Sequence, residues 1–177
     1  MSQASIDLVG EFFNLNNFFV LRYEDVFLIK NTLRQRCFNI ENFSILLDDI
    51  PNIKTALIKT IPWHTVKFSP SVLQKNPEIF KFIKKNNLKF VDKVFQEIPY
   101  LKILIIPDLP VTPDLREKSI SIMKDEGITN IITFPTIITG LIDKIEPRKM
   151  YTSIINEMIR ILKFYEFFAK NEQNLPF

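Results

Sequence analysis

The chain has 177 residues, 46% of them hydrophobic, with 17 Phe and only 3 Gly. That length supports one domain with a sizeable core, and the hydrophobic fraction excludes a disordered chain. Its 23 basic and 20 acidic residues leave a net charge of +3, too mild to demand nucleic acid as a partner, and no apolar run reaches the ~18 residues of a membrane span.

Cys37 is the only cysteine, which excludes an internal disulfide and a Cys-based zinc site. The opening MSQASIDLVGEFF lacks the basic start and uninterrupted apolar core of a signal peptide. A reduced, cytoplasmic protein is the expectation.

Residues 5–16 place Ile6, Val9, Phe12 and Phe13 on one helical face behind a Ser5 N-cap. FFVLRY (18–23) reads as a strand, and VFLIKN can extend it into a hairpin. FSILLDD (43–49) and IKTALIKTI (53–61), parted by Ile50-Pro51-Asn52, read as a second hairpin of adjacent antiparallel strands. Asn76-Pro77-Glu78 starts a helix, with Pro in its first turn and an acid at the positive end of its dipole. The apolar start of LKILIIPDLP (101–110) suits a central strand buried on both faces. Thr112-Pro113-Asp114 opens a helix that Gly127 closes, and ITNIITF (128–134) is a further short strand. Tyr151, Ile154, Ile155, Met158, Ile159, Leu162 and Tyr165 give a long amphipathic C-terminal helix. The order implies a single α/β domain over residues 1–177, with a mixed sheet covered by helices on both faces. Its core runs over about residues 5–134 and its C-terminal helical part over about 136–170.

The only Trp and the only His stand together in ALIKTIPWHT (56–65). Trp63 is read as core, and His64 as a hydrogen-bonded residue holding a strand–helix junction. Ser69 is read as turn or cap chemistry. KFIKKNNLKFVDK (81–93) is the densest basic run; it is either a solvated helix face or a surface for phosphates. Three glycines leave no Gly-rich phosphate loop, and neither H-E-x-x-H nor G-x-S-x-G occurs.

DLVGEFFNLNNFFVLR, PWHTVKFSPSVLQKNPEIFKFI, ILIIPDLP and IRILKFY resemble the PD-(D/E)XK, or restriction-endonuclease-like, nuclease superfamily. The resemblance is to a bacterial branch in which the second segment runs roughly VEVKGWHTxxFSPSVLxxNPxIFRF. It covers most of the chain, and its WHT…FSPSVL…NPEIF words are its specific part. In that superfamily an Asp on one strand and a Glu on the next hold a divalent cation, and a Lys two residues after the Glu activates water.

Aligned from Trp63-His64-Thr65, the resemblance puts Lys59 at the Glu position, Ile61 at the Lys position and Ser44 near the Asp position. Glu11 matches the acid of the opening helix, with Lys59, Lys67 or plain exposure as its alternatives for partner. The implied protein is a catalytically degenerate nuclease fold with no metal, no cofactor and no catalytic residue. It would act as a nucleic-acid-binding or structural subunit, not an enzyme. Lys59, Lys67, Lys81, Lys84, Lys85 and Lys89 are the candidate nucleic-acid contacts, for binding that is weak and without sequence preference. Two alternatives stand beside it. One is an interaction module forming a homodimer or heteromer; the other is a metal-dependent nuclease built from Glu11, Asp48 or Asp49.

Overall fold

The computed structural model describes residues 3–31, 43–47, 54–96 and 98–168. Cys37, Asp48, Asp49 and the Ile50-Pro51-Asn52 break lie outside them. The element order is α1 (Gln3–Leu15), β1 (Phe18–Tyr23), β2 (Val26–Asn31), β3 (Ile45–Leu46), β4 (Thr55–Thr60), α2 (Pro70–Lys75), a 3-10 helix (Pro77–Ile83), α3 (Lys85–Phe95), β5 (Leu101–Ile106), α4 (Pro113–Asp125), β6 (Asn130–Thr133), α5 (Phe134–Lys144) and α6 (Ile154–Phe164). One mixed sheet runs β1-β2-β4-β5-β6-β3. The first three strands in that order are antiparallel neighbours, while β4, β5 and β6 run parallel. The expected α/β class with a mixed sheet is therefore what the chain forms.

Alternation sorts the two cores. Leu57, Leu104, Ile106 and Ile131 face α2, the 3-10 helix, α3 and α4 through Leu73, Ile79, Phe80, Val91 and Met123. Ala56, Ile58, Ile103, Ile105 and Ile132 face α1 and α5 through Val9, Phe12, Phe13, Ile137 and Leu141. β4 is buried along its whole length, and β5 almost so, which is why both read as continuous apolar runs.

Two expectations are corrected. Residues 43–49 do not pair with 53–61: β3 is a two-residue strand on β6, at the opposite edge from β1, and β4 is instead seated between β2 and β5. The hairpin read for FFVLRY and VFLIKN does form, as β1–β2, closed by Glu24-Asp25 with Glu24 in the left-handed region at φ 51°. The C-terminal helix starts at Ile154 and buries Asn156 against the domain, leaving Ile154, Met158, Ile161 and Phe164 exposed. Its apolar stripe is thus wider than the strip the domain covers.

Candidate functional site

The segment after β4 carries the opening WHT word across the ends of the parallel strands. Ile61 N–H donates to Ile105 O (2.8 Å) and Phe68 N–H to Asp108 O (3.0 Å), which fixes both ends of the crossing. Between them, Trp63 and His64 part to opposite faces. His64 Nε2 lies 2.8 Å from Ser5 Oγ on α1, and its ring meets Phe134 edge-on at 4.4 Å. It joins the end of β4 to the α1/α5 layer. Trp63 is not core: it is 36% exposed, tilted on Phe68 at 5.9 Å, and stands at the rim of a pocket.

That pocket, about 890 Å³, lies between the β1–β2 turn, the end of β4, the 3-10 helix and the start of α3. Its size suits a small molecule or a part of a polymer. Lys59 and Leu57 project from β4 on the same face, since residues i and i+2 of a strand share a side. The Lys59 ammonium donates to Asp25 of the hairpin turn. Tyr23 and Phe90 stack at 3.9 Å with an 18° interplanar angle and close one wall. Asn86 and Asn87 of the first turn of α3 complete it, and Asn87 is held by Lys81 O at 2.6 Å. Lys81 and Lys89 stand at the lining without an ion-pair partner among the described residues. Glu24 and Glu78 also reach it, so the lining is mixed in sign.

The structure brings Lys59, Ile61, Lys81 and Lys89 to this one pocket, and Lys85 lies one turn before Lys89 on α3. Lys84 instead pairs with Glu126 (2.7 Å), and Lys67 approaches Asp108 (4.0 Å). Ser44 is not there. It accepts from Asn130 Nδ2 at 2.8 Å beside β3, three strands from β4, or about 14 Å at ~4.8 Å per strand. Glu11 is on α1, in the other layer, and accepts from Asn156 Nδ2 at 2.7 Å rather than pairing with Lys59 or Lys67. Ser69 is the N-cap of α2, its hydroxyl 3.0 Å from that of Ser71.

Asp25, Tyr23 and Phe90 were not singled out from sequence. The one signal was the two-residue Glu24-Asp25 gap between two alternating runs, which is hairpin spacing and puts Asp25 in the turn between β1 and β2. No protein-family model matches the chain, and no curated protein or solved structure matches it either.

The cation that the nuclease resemblance implies can be tested against these residues. On the alignment from Trp63-His64-Thr65 the Glu position holds Lys59 and the Lys position Ile61, while Leu57, which shares that face of β4, is 1% exposed within the core. The Asp25 carboxylate is already engaged by an ammonium. No group of three or more His, Cys, Asp or Glu that could hold a metal ion occurs among the described residues. The described residues do not fit the metal.

Proposed function

We propose that this chain is a catalytically degenerate member of the nuclease-like α/β class that binds nucleic acid in the pocket over the end of β4. The observation that carries the reading is the Asp25–Lys59 pair at the pocket floor, with Leu57 where the E-x-K spacing would need Glu. The order helix, four strands of which β1, β2 and β4 are antiparallel neighbours, helices, and then β5 parallel to β4 supports it too. In this placement Lys59 takes the lysine position, two residues earlier than the alignment on Trp63 put it. Asp25, in the turn just before the neighbouring strand β2, takes the aspartate position.

What remains suits binding. A lysine held in place, two unpaired ammonium groups and an aromatic wall can take up a phosphodiester chain by charge and contact, without reading sequence. The test is fluorescence anisotropy with labelled DNA and RNA at low and moderate salt. Binding should weaken steeply with salt. Lys89→Gln should weaken it across all sequences and reduce the salt slope by about 0.7–0.9 for one lost phosphate contact. Absence of binding to any nucleic acid at low ionic strength refutes the reading and leaves the interaction module.

A further inference from the structure

We infer that the ligand is single-stranded, and that the uncovered face of β1 is the platform on which its bases stack; this rests on the nucleic-acid reading above. β1 is an edge strand, and Phe19, Leu21 and Tyr23 alternate onto one of its faces. A strand face of this kind is normally covered or charged. Here Phe19 is 62% exposed, and Leu21 and Tyr23 are exposed beside it.

The strip leads into the pocket, because Tyr23 stacks on Phe90 and both rings belong to the pocket wall. Basic groups bracket it. Lys30 lies directly opposite Phe19 across the β1–β2 ladder, so both side chains leave the sheet on the same face. At the other end Lys85, Lys89 and Lys93 recur every four residues on α3, about 6 Å apart along its axis. None of these four lysines has an ion-pair partner among the described residues. Apolar rings between unpaired cations match the chemistry of an unpaired strand, whose bases offer flat faces and whose backbone offers regularly spaced charge. A duplex keeps its bases stacked inside and gains nothing from Phe19. A purely apolar peptide gains nothing from the lysines.

The experiment compares labelled oligo-dT and oligo-U with a duplex of equal length, using the unaltered chain, Phe19→Ala, Phe19→Trp and Lys89→Gln. Expected are tighter binding of the single strands, and a loss of about tenfold for them in Phe19→Ala. The salt slope should stay as it was, and Phe19→Trp should restore affinity. Phe19 is exposed, so its loss leaves the core intact, and circular dichroism checks this. If Lys89→Gln weakens salt-steep binding but Phe19→Ala does not, the platform is refuted and nucleic-acid binding stands. If nothing binds at low salt, both fail. If the chain instead dimerises with concentration, and Phe19→Ala abolishes only the dimer, the strip belongs to a second copy and the inference is overturned.

Discussion

Replacing Asp25 by Asn leaves the Lys59 ammonium facing the pocket floor without its counter-charge. The Lys59 side chain is 11% exposed and the Asp25 side chain 46%, so one charge is nearly out of water while the other remains half in it. Two unit charges ~4 Å apart attract by about 4 kcal/mol at an effective dielectric constant of 20. Solvent at Asp25 and the desolvation of Lys59 offset much of that, which leaves a coupling of about 1–2 kcal/mol, below the cost of breaking a fully buried pair. Urea unfolding of the unaltered chain, Asp25→Asn, Lys59→Met and the double variant gives this coupling directly. Asp25→Asn should be the most damaging single change. Lys59→Met should cost less, because it keeps the apolar stem and removes the charge that needs a partner. In the double variant, the loss from Asp25→Asn should largely disappear. A coupling below about 0.3 kcal/mol, within the error of additive sites, would mean that the pair does not hold in solution. The assignment of the pocket floor would fall with it.

The remaining expectations concern the frame around the pocket. A Cβ on Gly140 would lie 2.5 Å from the Phe12 ring, which is itself wedged edge-on against Phe13 and Phe43. Gly140→Ala should therefore destabilise by about 1 kcal/mol, overpacking of about 1–3 outweighing a helix-propensity gain of about 1; a stabilised variant in denaturant titration would refute this. Arg160 donates from Nε (2.9 Å) and Nη2 (2.6 Å) to Glu157, and these hydrogen bonds hold that carboxyl below its usual range. The unfolded chain then takes up the proton first as pH falls. The contribution is full above the ordinary carboxylate pKa and lost on the way down through the folded one, so Glu157→Gln should flatten the acid limb of a stability-versus-pH curve. Burial, with the hydrogen bond Tyr100 donates to Asp92 (2.8 Å), raises the Tyr100 phenol well above its ordinary value. Here the unfolded chain ionises first as pH rises, so stability should decline from about pH 10 upward. Tyr100→Phe should remove that part of the decline in alkaline melting experiments.

Much of the fold was legible because it rests on periodicity. Ile6, Val9, Phe12 and Phe13 form the buried stripe of α1, and LKILII is the central strand its composition implies. Pro113 and Gly127 bound α4 as local backbone chemistry requires, with Gly127 at φ 95°. Pairing was not legible where it depended on partners distant in sequence. FSILL and ALIKT look like two arms of a hairpin, since an apolar run separated from another by a Pro-containing break is what a hairpin looks like locally. Yet β4 satisfies its backbone with β2 and β5, and Ile45 and Leu46 find β6, more than eighty residues on. Nothing within a short window distinguishes those outcomes.

The site shows the same division at the scale of single residues. Lys59 was picked out because the resemblance, aligned from Trp63-His64-Thr65, puts it at the Glu position, and the structure then places it in a strand buried along its whole length. Its partner was invisible for the reason that misplaced β3: only the β2–β4 ladder, which sets Val26 opposite Lys59, brings Asp25 within reach. Once that ladder is known, the wall follows, since Tyr23 closes the same turn and meets Phe90 across it. Trp63 and His64 show why adjacency in sequence is a poor guide to shared chemistry. After the end of a strand one side chain turns to each face of the sheet, so the pair divides its work, with His64 fastening α1 and Trp63 edging the pocket. The residues that make a surface capable of binding are thus those the sheet gathers from β1, β4 and α3, and not those that stand side by side in the chain.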